Sequence, residues 1–351
     1  MLNVVITWSG LPPYAISQLS YFSNKYSSTY NIFVVATLNR YRPTQDDLST
    51  IPSLIIIDSS SSPTFQDLGI PNADILFLSG FRYKAFSRMH NYMLRSSRPV
   101  VCMSDSNASL EFPLSFLRSI YFRSICSHRM SAALVPGREG KLLLRHYGFR
   151  KPIRQGMYGC DPSIFLRDIS LSLARRRLDS KTFIFIGRLE RIKGFDLLLD
   201  CFSKLYNTHP DWKLIVVGDG SLSSLARDLP NVHLLGYLDK QSIAELMSNS
   251  SFFILPSRNE PWGVVVHEAA SCGLPLLLSD SVGSAVDLAS DHNSIVFSSG
   301  DSTNLYQSII HAIQLPFSWY MNASKQSVYL SAQYGPSVFS SSVCSLITQL
   351  L

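Results

Sequence analysis

Residues 251–273 read SFFILPSRNEPWGVVVHEAASCG, and the order of features in them points to one supersecondary unit. The run Phe252–Leu255 is apolar at every position, which suits a parallel strand covered on both faces. A polar corner, Arg258 to Gly263, follows. From Val264 the pattern turns helical and stops at Gly273, with Pro275 just beyond. The reading is strand, corner, helix, with Glu260 at the strand end and Glu268 in the second helical turn.

The same unit recurs along the chain. The runs NVVIT, IFVVAT, LIIID, DILFLSG, PVVCMSD and AALVPG alternate with stretches of helical period, as in a doubly wound α/β domain. Residues 159–181 break the rhythm with Pro162, several serines and Arg175–Arg177, the composition of a domain boundary. A second series follows: TFIFIG, WKLIVVG, VHLLG, SFFILPS, LPLLLSD and NSIVFS. The expected fold class is α/β, with two doubly wound Rossmann-like domains, 1–165 and 166–333, facing each other across a cleft. Residues 334–351 have the apolar spacing of a final amphipathic helix.

Composition sets the surroundings. A chain of 351 residues that is 46% hydrophobic can bury two cores. Its six cysteines, Cys102, Cys126, Cys160, Cys201, Cys272 and Cys344, are scattered without C-x-x-C spacing, so reduced thiols in a cytoplasmic protein are expected. The first residues, MLNVVITWSG, lack the pattern of a signal peptide, and no apolar run approaches the ~20 residues that cross a bilayer. Charge is uneven: residues 1–165 hold 17 Lys+Arg against 9 Asp+Glu, and residues 166–351 hold 14 against 16. Much of the basic excess lies in 118–154, where Arg118, Arg123, Arg129, Arg138, Lys141, Arg145, Arg150, Lys151 and Arg154 alternate with apolar residues. This stretch reads either as a solvated basic face or as a surface for anionic lipid. With no zinc-finger or RNA-recognition signature present, a nucleic-acid partner is not expected.

Chemistry is sought at the carboxyl ends of the strands, where open parallel sheets bind ligands. After NVVIT, Gly10 lets a ligand approach the backbone and Pro12-Pro13 opens a helix. The absence of G-x-G-x-x-G disfavours a dinucleotide cofactor. In FIFIGRLERIKG a strand ends at Gly187, and Arg188 and Lys193 precede a helix that begins near Gly194. Two cations beside a helix start suit a diphosphate, and an ordinary solvated loop suits the same residues. The amides of Trp262, Gly263 and Val264 precede the first helical acceptors. With ~1.5 Å of rise per helical residue, Glu260 and Glu268 stand roughly 10 Å or more apart, wider than the ~5–9.5 Å of acid–base pairs that share one glycosidic bond. Two contacts on one elongated ligand fit this spacing better. A helix-start acid and an exposed helical acid fit it too.

The stretch NEPWGVVVHEAASCGLPLLLSD resembles the E-x7-E region of retaining GT-B glycosyltransferases. FIGRLERIKGFDLLLDCF, WKLIVVGDGSL and VHLLGYLDKQSIAELMSNSSFFILPS follow that family's order, so the likeness spans about residues 182–288. LPPYAISQL, MSDSN, LVPGREGKLLLRHYGF and YGCDPSIF are similar to the more divergent acceptor-domain landmarks. The resemblance implies a nucleotide-sugar donor and a saccharide or lipid-linked acceptor. It implies that Glu260 accepts hydrogen bonds from the donor sugar, that Glu268 binds the ribose, and that the amides of Trp262, Gly263 and Val264 contact the sugar and diphosphate. Arg188 and Lys193 match the cations on the diphosphate, with Gly10 and Gly187 nearby. Tyr237 and Leu238 fall where backbone groups hold the base. The family's final helix crosses back to the first domain, which sets the same expectation for 334–351.

The implied reaction is retaining transfer without a metal, the acceptor hydroxyl attacking from the face the diphosphate leaves. One departure concerns the acceptor side. Where many members carry a histidine at a strand end, this chain has Ser79-Gly80-Phe81. Asp105, at the next strand end, is the candidate to orient the acceptor hydroxyl, and a loop-capping role fits it as well. His90, His128 and His146 are expected at the surface, and His267 is expected to point away from its neighbour Glu268. A GT-B-fold sugar-nucleotide epimerase and a non-catalytic sugar-nucleotide-binding protein are the alternative classes. The expected location is cytoplasmic, with peripheral attachment to the cytoplasmic face of the membrane as the expectation from the basic stretch.

Overall fold

A computed structural model describes residues 1–38, 43–80, 83–105, 117, 119–120, 122–226 and 229–351. Arg118, Phe81 and Ser106 lie outside the described residues, as does the Cys126 side chain. The chain divides into two compact units, Met1–Gly159 with Tyr334–Leu351, and Cys160–Gln333.

Among the described residues, the first unit holds a parallel sheet of β1 (Leu2–Ser9), β2 (Tyr30–Thr37), β3 (Leu54–Ile57), β4 (Ile75–Ser79), β5 (Val100–Met103), β6 (Ala132–Leu134) and β7 (Ile153–Arg154), in the order β3-β2-β1-β4-β5-β6-β7. The two-fold alternation of strand side chains explains the unbroken apolar runs. Val4, Ile6 and Trp8 enter one core with the helices Pro13–Tyr26 and Pro336–Leu350. Val5, Leu76 and Leu78 enter the opposite core with the helix Ser87–Arg95. The helix Pro336–Leu350 buries Phe339, Val343, Leu346 and Ile347 in this unit.

His90 corrects an expectation. It is buried, at 6% exposure, on the inward face of Ser87–Arg95 beside Met89 and Met93, and burial lowers its pKa. Its helical position alone did not distinguish the inward face from the outward one.

The second unit repeats the design with β8 (Thr182–Ile186), β9 (Lys213–Val217), β10 (Val232–Leu234), β11 (Phe252–Leu255), β12 (Leu276–Ser279) and β13 (Ser294–Phe297), in the order β10-β9-β8-β11-β12-β13. It starts at Cys160 rather than at 166, because the short helix Pro162–Phe165 packs on the helices Lys240–Asn249 and Val264–Ser271. Arg177 is fully buried in it. Its Nε donates to the Ser248 carbonyl at 2.8 Å, near the end of one helix, and its Nη1 to the Gly273 carbonyl at 3.4 Å, just past the end of another. Helix carboxyl ends carry partial negative charge, so this cation sits where two of them converge.

Each sheet changes direction at its first strand. The neighbours β1 and β4 flank the reversal in the first unit, and β8 and β11 flank it in the second. At such a point the connections run to opposite sides and leave a crevice at the strand carboxyl ends.

Candidate functional site

In the second unit the loops after β8 and β11 meet at that reversal. The first loop passes Gly187 and Arg188, makes a 3-10 turn at Arg191–Lys193, and enters the helix Phe195–Thr208 through Gly194. The second passes Glu260 and enters the helix Val264–Ser271 through Gly263. Lys193 Nζ donates to Glu260 Oε2, and the two side chains are only 16% and 12% exposed. Gly194 has φ of +69°, and a Cβ there would stand 1.9 Å from the Pro256 carbonyl oxygen. Only glycine permits both this left-handed turn and this approach between the loops.

A second tie holds the same loops. Arg258 donates from Nη1 to Asp196 Oδ1 at 2.7 Å and from Nη2 to Asp196 Oδ2 at 2.9 Å. The same guanidinium donates to the Arg191 carbonyl, and the Arg258 amide donates to the Ile192 carbonyl at 2.9 Å. A planar guanidinium matched to a carboxylate in this way fixes orientation as well as distance. Lys193 is thus held in a turn whose two preceding carbonyls are bound by one arginine.

The two helix starts at this point differ from others in the unit. Asp239 caps Lys240–Asn249 by accepting from the Ser242 amide, and Asp301 caps Ser302–Gln314 by accepting from two amides. At Phe195 and Val264 the N-cap is glycine, with φ of +69° and +84° and no side-chain cap. The first amides of a helix have no acceptor within it, so these two ends present donors and positive potential in place of a capped terminus.

Glu268 lies on the helix Val264–Ser271 and is half-buried. Burial pushes its carboxyl up to about 7, against the opposing pull of Lys240. Its neighbour His267 is buried and points elsewhere. Its Nδ1 accepts from the Cys160 amide at 2.9 Å, which leaves the proton on Nε2, 2.9 Å from the Ser331 carbonyl. Burial lowers this imidazole to about 4. One neutral ring therefore ties the first residue of the unit to a residue near its last.

The remaining candidates in this unit lie around the same edge. Arg188 is exposed at the end of β8. Tyr237 is 77% exposed and Leu238 36% exposed, both after β10. The loops after β8 and β9 run against each other. A Cβ on Gly218 would stand 2.0 Å from the Gly187 carbonyl oxygen, and Glu190 accepts from the Ser221 amide and hydroxyl. Trp262 is almost fully buried under the corner. Among the described residues no group of three or more His, Cys, Asp or Glu side chains is placed to hold a metal ion.

Gly10 and Asp105 belong to the first unit. Gly10 has φ of +74° and donates its amide to Thr37 Oγ1 at 3.3 Å. Asp105 borders a cavity of about 380 Å³ lined by Trp8, Tyr14, Ser79, Ser104 and Tyr158 among others, at the ends of β1, β4 and β5. Tyr158 donates to Asp105 Oδ2 at 3.0 Å, and Ser79 Oγ accepts from the Ser9 amide at 3.0 Å. Sequence reasoning did not assign roles to Arg258, Asp196, Tyr14 or Tyr158. The signal for the first pair is the charge of each beside a site loop; the tyrosines carried none.

Residues 174–327 match the family described as glycosyl transferases group 1. The match lies within the second unit and covers less than half of the chain. A phosphatidyl-myo-inositol mannosyltransferase of Propionibacterium freudenreichii is 26% identical over 228 residues, 63% of this chain and 56% of the relative. The match therefore spans little more than half the length of that relative. Among solved structures, Anabaena HepE in complex with UDP-glucose superposes with a TM-score of 0.73 at 16% identity, covering 100% of both chains. Sucrose-phosphate synthase from Thermosynechococcus elongatus gives 0.73 at 14% identity, covering 100% of this chain and 99% of that one. At these identities the likeness concerns the fold, which is GT-B.

Proposed function

We propose that this chain is a glycosyl transferases group 1 protein and a retaining glycosyltransferase moving a sugar from a nucleotide-sugar donor to a saccharide or lipid-linked acceptor, in surface polysaccharide or glycolipid synthesis. The observation that carries the reading is the Lys193–Glu260 pair between two glycine-capped helix starts at the reversal of the second sheet. It combines a cation, a carboxylate acceptor and free-standing helix ends, which are the groups a sugar diphosphate requires. The UDP-glucose complex of a protein with the same fold supports a nucleotide-sugar donor.

In this reading the diphosphate lies against the helix starts with Arg188 and Lys193, and the amides of Trp262, Gly263 and Val264 approach the sugar and phosphates. Gly187 directly follows β8, at the start of the loop that carries Arg188 and Lys193. Glu260 accepts hydrogen bonds from the sugar, Glu268 from the ribose, and the backbone at Tyr237 and Leu238 receives the base. Negative charge grows on the leaving phosphate oxygen as the bond to the sugar breaks. Cations and oriented amides then stabilise the transition state more than the bound donor. The acceptor hydroxyl forms the new bond on the face the diphosphate vacates.

The acceptor is assigned to the first unit, which also carries the basic surface. Arg123, Arg129, Arg138, Lys141, Arg150 and Lys151 are exposed, and Leu142 is exposed beside Lys141. Exposed cations and an accessible leucine in one stretch suit the anionic face of a membrane, which favours a lipid-linked acceptor at the cytoplasmic side. No helix among the described residues is long and apolar enough to cross a membrane. The name of the mannosyltransferase relative supports a lipid acceptor.

The test is a thermal-shift screen of UDP-, GDP- and ADP-sugars, followed by nucleotide release with and without membrane lipid extracts. The expected result is stabilisation by one donor class and release that depends on the extract. Isomerisation of the donor without an acceptor, or binding without release, overturns the proposal. Salt-sensitive sedimentation with anionic liposomes tests the membrane assignment.

A further inference from the structure

The helix Val264–Ser271 carries two of the groups assigned above to the donor, the amides at its glycine-capped start and the Glu268 carboxylate. The residues it buries are Val266, His267, Ala269, Ala270 and Ser271. Apolar contacts of valine and alanine carry no direction of their own, whereas a hydrogen bond fixes both distance and angle. His267 supplies two such bonds from the middle of the helix.

The ring is 2% exposed and is held on both edges by backbone. Nδ1 accepts from the Cys160 amide at 2.9 Å, and Nε2 donates to the Ser331 carbonyl at 2.9 Å. Ser331 ends the helix Phe317–Ser331, so its carbonyl lies beyond the reach of that helix's own amides. The chain enters the second unit at Cys160 and leaves it after Gln333. His267 therefore ties the helix Val264–Ser271 to backbone near both points. The Cys160 thiol also lies 3.2 Å from the Ser271 hydroxyl, one helical turn past His267.

A neutral imidazole offers one acceptor and one donor on a rigid ring, which matches one amide and one carbonyl. Burial lowers its pKa, so the ring keeps that pairing at neutral pH. With ~1.5 Å of rise per helical residue, His267 stands only ~6 Å along the axis from Gly263. A shift at the ring is carried directly to the helix start and to the adjoining Glu268.

We propose that His267 is the positioning residue of this helix, and that by holding the Cys160 amide and the Ser331 carbonyl it sets where the Gly263 and Val264 amides and the Glu268 carboxylate stand. That these groups receive a nucleotide sugar rests on the transferase reading above. The placement of the helix by His267 does not.

The test compares the parent with three variants. His267→Leu removes both bonds, His267→Asn keeps an acceptor at the Nδ1 position, and His267→Gln keeps a donor near the Nε2 position. Two measurements are made well below each melting midpoint: residual dipolar couplings of the backbone over 263–271 in the free protein, and titration with UDP, GDP and ADP. In His267→Leu the couplings should shift together against those of β11 and β12, which reports a displaced helix, and the best-bound nucleotide should lose about tenfold in affinity. His267→Asn and His267→Gln should fall between the parent and His267→Leu in both measurements. A merely structural histidine would lower the melting temperature and leave both readouts of the folded protein alone. Parental couplings, or parental affinity in a protein that binds nucleotide, overturn the proposal. If His267→Leu does not fold, the same comparison is read from His267→Asn and His267→Gln. A displaced helix in the variants of a parent that binds none of the three nucleotides leaves this inference standing and counts against the transferase reading.

Discussion

Lys193, from the loop after β8, donates to the carboxylate of Glu260, from the loop after β11, so one ion pair spans the two strands at which the second sheet reverses. The pair is shielded from solvent on most of its surface, where Coulomb attraction and desolvation cost are both larger than at an open surface. In the proposed reaction, a donor entering there finds each group already held in place by the other. The two loops are thereby organised without a ligand, so in the proposed reaction part of the ordering cost has been met during folding.

Lys193→Ala is expected to lower turnover by about 10²–10³, the scale of losing one group that stabilises developing charge. Circular dichroism should show the fold retained. Near-normal transfer by the variant would remove Lys193 from the mechanism. Glu260→Gln keeps the shape and removes the charge, so its main loss should be in donor affinity, measured by UDP-sugar titration.

Arg258 and Asp196 should matter without touching the donor, because their fork holds the turn that presents Lys193. Arg258→Ala is expected to cost about tenfold in kcat/KM, and Arg258→Lys to recover little, since an ammonium cannot make the two parallel bonds. Exchanging the pair, Arg258→Asp with Asp196→Arg, should restore part of the loss. Equal activity in all three variants would show that the turn holds itself.

His267 and Glu268 give opposite pH slopes in one window. The folded imidazole stays neutral down to about 4 while the unfolded chain takes up its proton near 6.5, so stability is lost as pH falls through that interval. The folded Glu268 carboxyl stays protonated up to about 7 while the unfolded one ionises near 4.5, so stability is lost as pH rises through that interval. Each is worth on the order of 2–3 kcal/mol, and the two largely cancel. Glu268→Gln should unmask the histidine, with melting temperature falling on acidification below pH 6.5 more steeply than in the parent. An unchanged pH profile would contradict the burial of His267. Donor affinity of the parent should improve as pH rises through about 7, as Glu268 becomes a full acceptor.

Gly194 and Gly69 separate backbone strain from collision. Both have left-handed φ, +69° and +65°, but a Cβ at Gly194 meets the Pro256 carbonyl at 1.9 Å whereas one at Gly69 meets nothing within 4 Å. Gly69→Ala should cost about 1–2 kcal/mol, the strain alone. Gly194→Ala should cost more and also lower donor affinity, since it pushes apart the loops that carry Lys193 and Glu260. Denaturant unfolding with UDP titration reads both effects.

Turnover should survive EDTA, because Lys193, Arg188 and two helix starts supply the positive charge in the proposed reaction. Loss of transfer on chelation, restored by a divalent cation, would require a revised diphosphate site.

By itself the sequence determined the elements and the fold class. Every apolar run named as a strand is one, because burial on both faces demands a pattern that a single chain displays locally. It also showed which loops carry charge and glycine. Among the described strands, only β7, a two-residue strand paired with β6, is too short to leave a pattern. What the tertiary structure decided is which distant residues meet. Lys193 and Glu260 are separated by 67 positions, and Arg258 and Asp196 by 62. Their pairing follows from the order of strands in the sheet, which no local periodicity encodes. The inward turn of His90 and the bracing of Asp105 by Tyr158, 53 positions away, are of the same kind. Helical period marks that a residue has a face, and packing chooses which face is covered.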